Sequence, residues 1–125
     1  MKSECQPKEI IIDGIVYIPV DNTYRKAADL DGLQYVLVRS GQSGVWGGYL
    51  KSKDGDQVEL VNARRCWRFY ANECCELAIK GLTKGKDNRI SIVQPHVIIF
   101  DVCEIHDVTE QARLSIQGEA EWTSK

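Results

Sequence analysis

Five cysteines and two histidines are the residues of this chain suited to metal ligation or nucleophilic catalysis. Cys103 and His106 stand three apart, with His96 upstream and the adjacent pair Cys74 and Cys75 further back. Zinc takes about four convergent thiolate or imidazole ligands, usually from two closely spaced pairs. Here a single CxxH spacing occurs without a second pair, and residues three apart on a strand start on opposite faces. The thiols therefore read as core residues and the histidines as ordinary strand-end residues, with no metal site and no cofactor expected. A cysteine–histidine nucleophile needs a thiolate held beside an imidazolium, and the spacing singles out no cysteine for that role. Asp101, Glu104 and Asp107 lie near the same segment but alternate in face or fall past its end. They read as a solvated strand margin, and no catalytic residue is assigned. Gly41-Gln42-Ser43-Gly44 lacks the lysine of a P-loop, and Gly44-Val45-Trp46-Gly47 lacks the dinucleotide fingerprint, so these glycines serve turns.

Charge is the uneven feature. The chain carries a formal charge of -2, which gives no general attraction to nucleic acid or an acidic membrane. Between Leu60 and Ile90, however, seven basic residues face three acidic ones, and from Ser91 onward two basic residues face six acidic ones. The middle of the chain can thus present a basic surface. Arg64, Arg68 and Tyr70, with Lys84, Lys86 and Arg89, form the candidate ligand-binding set, in which cations hold a phosphate while an aromatic stacks on a ring. The competing reading pairs these cations with the acidic C-terminal part, within one chain or across a dimer.

The elements that must position these residues read as mostly β. Ile10-Ile11-Ile12 and Ile15-Val16-Tyr17-Ile18 flank Asp13-Gly14, a strong hairpin signal because a type I′ turn takes two residues with positive φ. Pro19 ends or edges the second strand, and a polar connector runs to Gly32. Strands follow at Gln34–Arg39, Val45–Lys51, Gln57–Asn62 and Ala63–Tyr70, bounded by Gly-containing turns. Gly47-Gly48 inside a strand calls for a bulge or a close approach. Period two places Arg65, Trp67 and Phe69 on one face of the fourth of these strands and Arg64, Cys66, Arg68 and Tyr70 on the other, and the aromatic face reads as core. A helix runs from Asn72, as cap, to Lys80 and ends at Gly81. Ile90–Val93 is a short strand, Val97–Ile105 a central strand, and Thr109 or Asp107 caps a final short helix. Trp122 packs the tail back onto the body.

Residues 1–32 are thus expected to form an N-terminal hairpin arm and connector, and residues 33–125 a compact β-rich domain. The 125 residues, 43% apolar and 27% charged, can bury one core without disulfides. Short connections without a recurring βαβ rhythm exclude a doubly wound sheet. The fold class is mostly β or α+β, a curved antiparallel sheet or small SH3-like barrel with one inserted short helix and a C-terminal short helix. No apolar run approaches the roughly 20 residues that span a bilayer, so no membrane partner is expected. The acid-bearing start Met1–Cys5 and the odd cysteine count suit a chain kept reduced in the cell that makes it. An isolated hairpin is marginal in water, which predicts a homodimer or higher homo-oligomer with the arm in the contact, or an arm folded over its own domain.

The ordered stretches Gly44-Val45-Trp46-Gly47-Gly48-Tyr49-Leu50, Val58 to Arg68, Glu76 to Gly81 and Val108 to Ala112 resemble a family of small phage and prophage proteins known only as a domain of unknown function. The resemblance covers roughly Gln34 to Trp122 and implies a phage accessory protein in the host cytoplasm. It carries over no catalytic residue, and Trp46 and Trp67 map onto its aromatic positions as fold-bearing residues. The expected function is noncatalytic binding or sequestration of a host factor, either a host protein or a phosphate-bearing small ligand. Nucleic acid is the less favoured partner. The alternatives are a homo-oligomeric protein-interaction module using the arm or a sheet edge, and a small nucleic-acid-modifying enzyme.

Overall fold

The computed structural model describes residues 10–12, 15–17 and 25–123. Its elements are β1 (Ile10–Ile12), β2 (Ile15–Tyr17), β3 (Tyr35–Ser40), β4 (Gly44–Asp54), β5 (Gln57–Arg68), α1 (Cys74–Lys80), β6 (Arg89–Ile90), β7 (Gln94–Ile99), β8 (Val102–Asp107) and α2 (Glu110–Gln117). β1 and β2 pair antiparallel, Ile12 opposite Ile15, as the hairpin pattern requires. The readings of Pro19, of the connector up to residue 24 and of Cys5 lie outside the described residues.

The main sheet is antiparallel throughout and runs β8, β3, β4, β5. Beyond β5 the first half of the strand pairs with β7, and its last residues pair with β6. The outer strands β7 and β8 are joined only by Phe100 and Asp101. A link of that length spans about 10 Å at most, so the sheet must curl until its two margins meet at this corner. Its ladder stays open between them, which makes it a curved open sheet and not a closed barrel. Three contacts tie the corner down: Ser40 Oγ donates to Phe100 O at 2.7 Å, Gly41 N–H to Asp101 O at 3.0 Å and Val102 N–H to Asp56 O at 2.9 Å.

β3 is buried on both faces, so the sheet separates two cores. Val36, Val38, Trp46, Val58, Leu60, Ala63 and Ile99 fill one side. Tyr35, Leu37, Tyr49, Cys66 and Ile90 meet the helix residues Leu77, Ala78, Ala112 and Ile116 on the other. Gly47 and Gly48 mark a register shift in β4. A Cβ on Gly48 would lie 2.8 Å from Ala63 Cβ and 3.0 Å from its Cα, the close approach that the glycine pair signals. Residues 25–30 belong to the body: Ala27 is buried and donates to Val108 O, and Ala28 N–H donates to Glu110 Oε1 at 2.7 Å.

Four expectations are corrected. The segments expected as separate strands at 57–62 and 63–70 are one strand, β5, bent at Asn62 with φ 50. The expected central strand Val97–Ile105 is two margin strands, because Asp101 at φ 58 turns the chain between them. Asn72 does not cap α1; its backbone and amide N–H groups donate to Glu76, while Gly81 at φ 84 does end that helix. Finally, the two faces of β5 partition as the alternation predicts, but Arg64 and Cys66 point inward while Trp67 stands 50% exposed. Thr109 caps α2 as expected, its hydroxyl accepting from Ala112 N–H.

Candidate functional site

Arg64 explains the inversion and leaves the surface set. It is 2% exposed, and its guanidinium donates to four carbonyls: Ser91 O from Nε at 2.7 Å, and Ile116, Gln117 and Glu119 O from Nη1 at 2.8, 3.2 and 2.7 Å. The last carbonyls of a helix lack intrahelical partners and carry the negative end of its dipole. Arg64 therefore closes the C-terminal end of α2 from beneath. Buried and with Nε and Nη1 so engaged, it is a fold residue, not a ligand-binding one.

The other candidates gather where β5 ends. Trp67, Arg68 and Tyr70 come from the strand and the residues just after it, and the 82–89 segment brings Lys86 and Arg89 beside them. Asn88 is what positions that segment, and neither charge nor periodicity announces it. Buried, it accepts Tyr70 N–H at Oδ1 (2.9 Å) and donates from Nδ2 to Thr83 O (2.9 Å), while Thr83 Oγ1 donates to Tyr70 O at 2.7 Å. Arg68 Nη2 then reaches the Tyr70 hydroxyl at 3.1 Å, and the Arg68 guanidinium and the Lys86 ammonium both lie 5.8 Å from the Tyr70 ring. On the other side, the Arg89 guanidinium stands 5.6 Å from Trp67 and 5.0 Å from Trp122, whose rings meet edge to face with centroids 4.8 Å apart. Asp87 bridges the two halves, 3.0 Å from Arg89 and 3.6 Å from Arg68. Lys84 stands apart, on a groove of about 400 Å³ formed with Leu82, Leu114 and Ser115.

Tyr70 and Lys86 also line a cleft of about 410 Å³ with Phe69, Asn72, Glu76 and Thr83. The result is a face with two exposed aromatics, Trp67 with one cation at its ring and Tyr70 with two. Such a face can stack a planar ring and neutralise phosphate. Trp122 is the member that residue-type patterns do not tie to the site.

Among the described residues, the cysteines and histidines do not assemble into a comparable centre. His96 pairs with Glu59 on the β7 margin, whereas His106 pairs with Glu104 at 2.9 Å on the β8 margin. Glu104 also takes Arg39 at 3.2 Å, beside a cleft of about 540 Å³ lined by Cys74, Cys75 and Phe69. Burial, and then the nearby Glu104 carboxylate, push the Cys74 thiol above the ordinary range, which disfavours the nucleophilic thiolate. Asp107 accepts from Gln34 Nε2 at 2.8 Å, and Asp101 sits in the corner turn. Among the described residues, no three histidine, cysteine or carboxylate groups converge to hold a metal ion. Among the described residues, no helix is long and apolar enough to cross a membrane.

No curated protein and no solved structure matches this chain. Residues 33–116 match the family described as a domain of unknown function, DUF6948, and with most of its length so covered the chain belongs to that family.

Proposed function

We propose that this protein binds, without catalysis, a phosphate-bearing host factor whose planar ring stacks at Trp67 or Tyr70. One observation carries the reading: two exposed aromatics at the end of β5, one cation at the Trp67 ring and two at the Tyr70 ring, on a face ordered by the buried Asn88. Single-strand and nucleotide binders combine these same elements, a cationic surface and stacking platforms. The phage accessory role and the host cytoplasm as its setting rest on the sequence resemblance at Gly44–Leu50 and Val58–Arg68.

Salt dependence tests the phosphate part. If Arg68, Lys86 and Arg89 meet up to about three phosphates, log K falls with log salt at a slope near about −2. Raising salt from about 50 to 200 mM should then weaken binding of a labelled oligothymidylate by roughly tenfold. Replacing Arg68 and Lys86 together should flatten that slope, and an unchanged slope rejects the cations as phosphate contacts.

A second reading has its own observation. Ile98 on β7 and Phe100 just past its end are 44% and 60% exposed, and among the described residues the outer backbone margin of β7 is unpaired. Margins of this kind add strands from other chains, which supports a homo-oligomeric interaction module. Light scattering of the full chain at micromolar concentration decides it: a dimer mass supports the module, and a monomer mass removes it.

A further inference from the structure

We infer that Trp122 is a built-in occupant of the ring-binding shelf at Trp67 and Arg89, so that a ligand's ring enters by displacing the tail. This inference rests on the binding reading above and adds that the free protein holds its own site closed. The tail is held in two different ways along its length. Up to Glu119 it is anchored by Arg64, whose guanidinium takes the carbonyls of Ile116, Gln117 and Glu119. Past Ala120, the backbone hold among the described residues is the isolated parallel bridge between Glu121 and Ile90, to which Trp122 N–H contributes its bond to Ile90 O at 3.0 Å. A strongly fixed base thus carries a lightly fixed tip.

What the tip reaches is the feature a planar ligand would use. The Trp122 ring meets Trp67 at 83°, and Arg89 lies in the corner between the two rings. Trp67 remains 50% exposed, so the tail covers part of the shelf and leaves an approach open. Edge-to-face and cation–π contacts of this kind are weak individually, and stacking of a base on an indole is at least as strong. Exchange of one ring for another therefore conserves the shelf's contacts, while Arg64 keeps the end of α2 closed. Trp67 and Arg89 lie within the stretch shared with the family, and Trp122 lies beyond it.

Affinity for a fluorescein-labelled oligothymidylate tests the inference in three proteins: the full chain, Trp122→Ala, and a chain ending at Ala120. The truncation keeps every carbonyl that Arg64 uses, so it controls for misfolding, with circular dichroism checked on each. Removing the plug should tighten binding about three- to tenfold, the worth of an aromatic pair. In the full chain, the Trp122 amide should lose hydrogen-exchange protection when the probe saturates. Weaker or unchanged binding in both variants makes Trp122 a wall of the site, or a bystander, and overturns the inference while leaving the binding reading standing. Binding by the variants alone supports the plug. If none of the three proteins binds, both readings fall; if Trp67→Ala binds as tightly as the full chain, the plug falls and Tyr70 is left as the stacking platform.

Discussion

Replacing Arg64 by Met keeps the aliphatic stem and removes the guanidinium, which isolates the four carbonyl bonds made by a residue only 2% exposed. Charged hydrogen bonds contribute about 1.5–3 kcal/mol each at face value, but that sum overshoots. The carbonyls of Ser91, Gln117 and Glu119 are only partly buried and can recover water, and the variant is spared the desolvation of a cation. The carbonyl of Ile116 is buried and would keep only the long bond from Glu119 N–H at 3.4 Å, so losing the guanidinium there costs about 1–3 kcal/mol. Losing a cation from a partly buried helix C-terminus costs up to about 2 kcal/mol more. The expected net loss is about 3 kcal/mol, or a fall in Tm of roughly 10 °C for a domain of this size. Urea denaturation followed by circular dichroism reads it as a lower midpoint with an unchanged slope. Arg64→Lys should fall between the two, since a single ammonium cannot reach both Ser91 O and the helix end. At temperatures where Arg64→Met is folded, its oligothymidylate affinity should equal that of the unaltered protein. A stability loss below about 1 kcal/mol, or weakened binding by a folded variant, refutes the assignment of Arg64 to the fold.

Three further outcomes follow from the same geometry. Gly48→Ala should destabilise by about 1–3 kcal/mol in the same urea assay, because its Cβ meets the Ala63 Cα and Cβ at 3.0 and 2.8 Å on the neighbouring strand. Glu110, held by Arg113 and by Ala28 N–H, has its carboxyl lowered from 4.5 to about 2. Its contribution is therefore complete above about pH 4.5 and lost as pH falls toward 2, so Glu110→Gln should flatten the acid limb of a stability–pH curve across that window. Burial pushes the Cys66 thiol up to about 12, while Cys75 and Cys103 are exposed. Iodoacetamide at pH 8 followed by peptide mapping should label the latter two and leave Cys66 unmodified until the protein is unfolded; early labelling of Cys66 contradicts its placement.

Local chemistry made part of this fold legible. Gly48 marks the approach to Ala63, Gly81 ends α1 and Thr109 begins α2, because in each case one residue type satisfies a local geometric demand. The alternation along β5 separated Arg64, Cys66 and Arg68 from Arg65 and Trp67, yet it could not say which set faces inward. That choice depends on Ile116, Gln117 and Glu119, about fifty residues away, whose carbonyls make a buried arginine tolerable. The β-branched run Val97–Ile105 concealed its corner, since Asp101 takes φ 58 without a glycine to announce it. At the candidate site, charge and aromatic spacing singled out Arg68, Tyr70, Lys86 and Arg89, which the fold places near one another. Asn88 was not, because its role lies in the amide's partners, Tyr70 N–H and Thr83 O. Trp122 was legible as a residue that packs the tail, but its partner Trp67 was expected inside the core.

The binding claim is tested most directly by the affinity of the double variant Trp67→Ala/Tyr70→Ala for labelled oligothymidylate at low salt, set against the unaltered protein. Loss of the stacking platform that the ring uses is worth about 1–3 kcal/mol, so binding should weaken by roughly five- to a hundredfold with circular dichroism unchanged. Equal affinity in the folded variant would contradict the account and place the ligand elsewhere.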